Sequence, residues 1–145
     1  MTYYFRADLS RYVDNEYPSI IKINTTGELR DYYASNKETY QFGHGYYCET
    51  SMADGVFSDM SGFDDDFFKA NFLLFIILQE GSGSVRHRVE SVSQDNNSLL
   101  VKITRIMPEI GTCDMAQWHI VLVLDKSLFD KNVELAIEVE RPDLL

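Results

Sequence analysis

"NFLLFIILQEGSGSVRHRVESV", residues 71–92, decides the fold. Its first half is a continuous apolar run bounded by polar residues and glycine. Such a run suits a central strand covered on both faces. The Gly-Ser-Gly-Ser that follows has the composition of a phosphate cradle, but a cradle needs a helix start behind it and a P-loop needs a Lys-Ser or Lys-Thr pair. Here the next residues alternate as a strand. Glu80 through Val92 therefore predicts strand, turn, strand, with Gly81 and Gly83 giving the positive φ of a hairpin turn. The alternation places His87 with Val85 and Val89, and Arg86 and Arg88 with Glu90 on the opposite side. His87 reads as a hydrogen-bonded histidine at the core edge, and the arginines as partners of sheet carboxylates.

Downstream the strand signals continue. "QDNNS" (94–98) is a turn cluster, because Asn and Asp tolerate left-handed backbone. "LLVKITRIM" (99–107) alternates, and "AQWHIVLVL" (116–124) is apolar on both faces. "VELAIEVE" (133–140) turns Val133, Leu135, Ile137 and Val139 one way and its glutamates the other. Upstream, "TYYFRA" (2–7) and "PSIIKIN" (18–24) are weaker strand candidates. Thr25 and Glu28 have capping-box spacing, and Leu29, Tyr32 and Tyr33 form one helical face running to about Tyr40. Residues 41–63 read as an irregular loop with at most a short strand, and Asp64 as the cap of a short turn holding Phe67 and Phe68. Together these elements predict an α+β fold: a predominantly antiparallel, sandwich-like sheet with one main helix packed on it. Residues 1–145 form a single domain with a strand-rich core over 64–140.

Composition narrows the partners. The chain is 45% hydrophobic and 25% charged, an ordinary globular balance. A formal charge of −10 with 13 scattered Lys and Arg excludes nucleic acid and disfavours anionic lipid. The apolar run at 72–78 is far shorter than the roughly 20 residues that span a bilayer, so no transmembrane segment is expected. "MTYYFRADLS" lacks the pattern of an export leader, which leaves a cytoplasmic chain or one whose leader was replaced at Met1. Cys48 and Cys113 fit no CxxC or zinc pattern, so they are either two thiols behaving as small apolar residues or a disulfide.

Chemistry-bearing clusters have plainer readings. Asp64, Asp65 and Asp66 lack the alternation of a calcium loop and suit a helix start. Cys113, Asp114 and His119 lie close in sequence, whereas a catalytic Cys and His usually meet from distant parts of a chain. Nothing fixes the separation of Glu80 and Glu109 that a glycosidase pair needs. We therefore expect no catalytic, cofactor-binding or metal residues and no cofactor. The candidate partner-binding residues are Arg86, Arg88, Asp114 and Met115, and the partner is another protein. "GTCDMAQWHIV" (111–121) reads as a structural clasp. Trp118 sits in the core, Met115 and Ile110 pack beside it, and Asp114 serves a turn.

"DDDFFKANFLLFIILQEGSGSVRHRVESV" and "ITRIMPEIGTCDMAQWHIVLVLDK" resemble the C-terminal domain of the protease-complex accessory subunit family (PrcB-type). The likeness is to a branch of short proteins from anaerobic Gram-positive bacteria. It is carried by an acidic-aromatic DxxFF, the GSGS turn before a basic strand, and "PEIGTCDMAQWHI". It is close over residues 64–124 and looser through "YPSIIKINTTGELRDYYASNK" (17–37). The resemblance implies an exported or lipid-anchored protein with a non-enzymatic, protein-binding role. The alternative is a small protease inhibitor or hydrolase acting through the loops at 43–62 and 108–116. An inhibitor-like member of the family carries Ser-Gly-Gly-Tyr at the turn, whereas Ser84, Val85 and Arg86 stand here, without the tyrosine.

Overall fold

A computed structural model describes residues 2–11, 13–42, 55–58 and 60–140. Strand β1 (Thr2–Arg6) and β2 (Ser19–Ile23) precede helix α1 (Thr26–Asn36) and two short helices, α2 (Gly55–Ser58) and α3 (Asp65–Ala70). Then come β3 (Asn71–Glu80), β4 (Arg86–Gln94), β5 (Ser98–Ile106), β6 (Ala116–Asp125) and β7 (Glu134–Glu140). They build two sheets, ordered β1-β6-β3-β2 and β4-β5-β7. The fold is α+β and mostly antiparallel, as expected.

The two-sided apolar strands explain the layering. β3 and β6 pair along their whole length at the centre of the four-stranded sheet. One face of that sheet carries Phe72, Leu74, Ile76, Ile120 and Leu122 against Leu99, Val101 and Ile103 of β5. The opposite face carries Leu73, Phe75, Ile77 and Val121 against Leu29 and Tyr32 of α1 and the aromatic rings of Phe42 and Phe57. The central sheet is thus covered by a second sheet on one side and by the helical layer on the other.

Local signals set the helix ends. Thr25 Oγ1 accepts from the Glu28 N–H at 3.0 Å, while Glu28 reaches back to the Asn24 N–H at 3.1 Å, one residue beyond the usual capping box. α1 stops at Asn36 and not at Tyr40, and residues 37–42 continue as turns in which Gln41 takes a left-handed φ of 53°. Asp64 caps α3 through the Phe67 N–H at 2.9 Å. Residues 43–54, with Cys48 and most of the predicted irregular loop, lie outside the described residues. The described part of that loop holds the helix α2 with Val56 and Phe57 buried, where an irregular loop with at most a short strand was expected.

One expectation about strand neighbours needs correction. β3 and β4 are strand, turn, strand, but they belong to different sheets, so residues 81–85 cross the sandwich and do not close a hairpin. β7 lies parallel to β5 because β6 intervenes in the other sheet, and the chain re-enters beside β5 in the same direction. A bulge at Val89/Ser91 interrupts the β4–β5 ladder. Among the described residues no helix is long and apolar enough to cross a membrane.

Candidate functional site

The crossing at residues 81–85 meets the β5–β6 loop, residues 107–115, at one end of the sandwich. Hydroxyls and one ion pair join them. The Thr112 N–H donates to Ser82 Oγ at 2.9 Å and Ser84 Oγ at 3.0 Å. Asp114 accepts from Arg6 Nη2 at 2.8 Å and from the Gly83 N–H at 3.2 Å. Arg6 also grips Asp8 through Nε, at 3.0 and 2.9 Å. Hydrogen bonds from Thr112 and Arg6 hold the Asp114 carboxyl well below the usual carboxylate range. Burial opposes the Arg6 charge, but the bonds to Asp8 and Asp114 outweigh it, so the guanidinium is held protonated.

Gly83 has a steric role and not the conformational one expected of it. Neither Gly81 nor Gly83 has a positive φ. A Cβ on buried Gly83 would run into Arg6 Nη1 and Asp114 Oδ2. Glycine is required there so that backbone can lie against the ion pair.

A second polar link joins the sheets behind this loop. Tyr4 Oη accepts from the His87 backbone N–H at 3.0 Å and lies 2.9 Å from His87 Nδ1. His87 Nε2 lies 2.6 Å from Glu80, whose carboxylate can only accept, and Arg105 forks onto the same carboxylate at 2.9 and 2.6 Å. Burial would raise the Glu80 pKa, but the bonds from His87 and Arg105 reverse the shift and lower it. Tyr4 and Glu80 come from the central sheet and His87 and Arg105 from the outer one. Each polar group in this link has a partner, so it works as a cross-tie.

The four candidate residues divide. Asp114 is part of the clasp, and Met115 beside it is exposed. Arg86 lies under the turn, with its guanidinium 4.8 Å from the Trp118 ring centre and donating to the Gly83 carbonyl at 2.6 Å. Arg88 stands apart on β4 and pairs with Glu90 at 2.7 Å. Trp118 is buried and stacks on Tyr4 at 4.8 Å, as a core residue should. The fillers assigned to it are elsewhere: Ile110 is 87% exposed and Met115 59%, because the clasp turns the loop outward from Trp118. Cys113 is an exposed free thiol, not a buried apolar filler.

His119 points to the opposite face, into the helical layer. Tyr32 Oη lies 2.6 Å from its Nε2, Phe5 stacks on it at 5.0 Å, and Nδ1 has no partner among the described residues. Complete burial pushes its pKa down to about 3, and burial pushes Tyr32 up. A base that holds no proton at neutral pH beside a phenol that does not ionise is poorly matched to proton transfer. Cys113, in solvent on the loop, and His119, in the core, do not form a dyad.

Sequence reasoning missed Arg6, Gln79 and Gln117. The signal available for the glutamines was a primary amide placed inside each of the two most apolar strands. Arg6 had none, since its partner Asp114 lies at the far end of the chain. No family model, no curated protein and no solved structure matches this chain. The site geometry therefore carries the functional argument.

Proposed function

We propose that the chain is a non-enzymatic binding or accessory module that engages another protein through the end of β5 and the loop at 107–115. The carrying observation is the combination of exposure and fixation. Ile106 and Met107 are each 44% exposed, Met115 59% and Ile110 87%, on a segment held by Ser82 and Ser84 at the Thr112 N–H and by Arg6 at the Asp114 side chain. Apolar side chains gathered in solvent are a feature of interaction surfaces. A loop already held in one shape loses little conformational freedom on binding. The PrcB-type resemblance of residues 64–124 supports the same role and an exported or lipid-anchored location.

The test is capture from the source organism on the immobilised chain, read by mass spectrometry, with Ile110→Asp in parallel. The proposal expects a protein held by the wild type and lost at least tenfold by the variant. Thermal unfolding should be unchanged, since Ile110 contributes almost nothing to the core. An identical captured set on both baits would overturn it.

A further inference from the structure

From the edges of the outer sheet we infer that β7 accepts a strand: an extended, basic segment of another protein that pairs with its free edge and adds a fourth strand. This goes beyond the loop reading and does not depend on it. The outer sheet has three strands and the central sheet four. β4 lies over β1, where Tyr4 reaches His87, so the central strand left without a counterpart is β2, on the β7 side. Ile20 of β2 is accordingly only partly buried where it packs on the core between the sheets. Leu135, Ile137 and Val139 of β7 pack on the same core and are also only partly buried.

The two edges of this sheet differ. On β4 the His87 N–H is taken by Tyr4 Oη, and the bulge at Val89/Ser91 interrupts the strand. Both features stop a further strand from pairing. β7 has neither, and its register with β5 runs unbroken from Glu134 to Glu140. The Glu134 N–H donates to the Asn97 carbonyl, on the β5 side. Backbone groups alternate sides along a strand, so those of Leu135, Ile137 and Val139 face the free edge. The side chains there select the occupant. Glu134, Glu138 and Glu140 are exposed on the solvent face, and none is in an ion pair among the described residues. A second copy laid antiparallel and centred on Ile137 would set Glu134 against Glu140, and like charges so placed repel. A segment with Lys or Arg on one face and apolar residues on the other fits instead. It pairs the glutamates and covers Leu135, Ile137, Val139 and Ile20.

The probe is a fluorescein-labelled nonapeptide of alternating Lys and Val, titrated with the full chain and read by fluorescence anisotropy at physiological salt. Strand addition uses only one edge of the peptide. N-methylation of the alternate residues on that edge should abolish binding, while methylation of the other alternate set should leave the affinity within about twofold. Glu134→Lys combined with Glu140→Lys, beside the uncharged Ser98 and Thr104 of β5, should weaken binding about tenfold without lowering thermal stability. Ile110→Asp should leave the peptide affinity unchanged, so the edge and the loop fail separately. No binding, or equal effects of the two methylated peptides, would overturn strand addition. Equal retention would reduce the contact to charge attraction alone. Dimerisation of the chain by itself, with no affinity for the peptide, would overturn it in favour of a second copy.

Discussion

Trp118 and His119 are chain neighbours that face opposite layers, and each reports on its own layer. Trp118 is held between the Tyr4 ring and the Arg86 guanidinium, with its Nε1 donor unpartnered among the described residues. Its truncation removes a large packed surface and leaves a cavity. Trp118→Ala is expected to cost about 3–5 kcal/mol in denaturant unfolding, against a near-neutral Cys113→Ser. For His119 the readout is pH. Its folded pKa of about 3 lies below the ordinary histidine value of about 6.5, so the unfolded chain binds the proton first as pH falls. The stability it contributes is present above about pH 6.5 and is lost progressively towards pH 3. Between pH 7 and 5.5, above the carboxylate range, unfolding free energy should drop by about 1 kcal/mol. His119→Gln, which retains a polar partner for Tyr32, should remove that slope. A wild type flat over the same interval would show that His119 is accessible to protons in the folded chain.

At the scale of elements, the clasp depends on a glycine where a side chain does not fit. Gly83→Ala should push Arg6 from Asp114 and loosen residues 107–115, at about 1–3 kcal/mol, as overpacking does. Amide exchange at Thr112 should accelerate in this variant. Unchanged protection there would mean that Ser82 and Ser84 hold the loop without the ion pair. Much of the element pattern was legible: the apolar runs of β3 and β6, the Thr25 cap, the Asp64 cap and the alternation of β7 each have a local cause. The clasp was not. Arg6 and Asp114 meet only after the chain has crossed between sheets, and no local pattern announces a pair separated by most of the sequence. Ile110 and Met115 read as core fillers from their chemistry alone. Loop residues have no period to set their direction, and the hydroxyl and ion-pair bonds turn them outward.

At the scale of the whole molecule, the sequence told that two strands are buried on both faces but not which layer covers which. β3 and β4 are adjacent in sequence and sit in different sheets, a choice made by the pairing of β3 with β6 and of β4 with β5. That choice has a thermodynamic consequence. The central sheet contributes side chains to both cores, so neither the helical layer nor the outer sheet can leave without exposing strands the other needs. Tyr4, His87, Glu80 and Arg105 add a polar tie between the sheets. Leu29 in the helical layer and Leu99 in the outer sheet are both fully buried, on opposite sides of that shared sheet. Leu29→Ala and Leu99→Ala should each lower stability by about 2–5 kcal/mol. Both should do so within one cooperative transition, in which tryptophan fluorescence and far-ultraviolet circular dichroism coincide. If Leu29→Ala produced a separate early transition seen only by circular dichroism, the helical layer would be an independent unit. Trp118, on the other face, would then stay buried after that layer had melted.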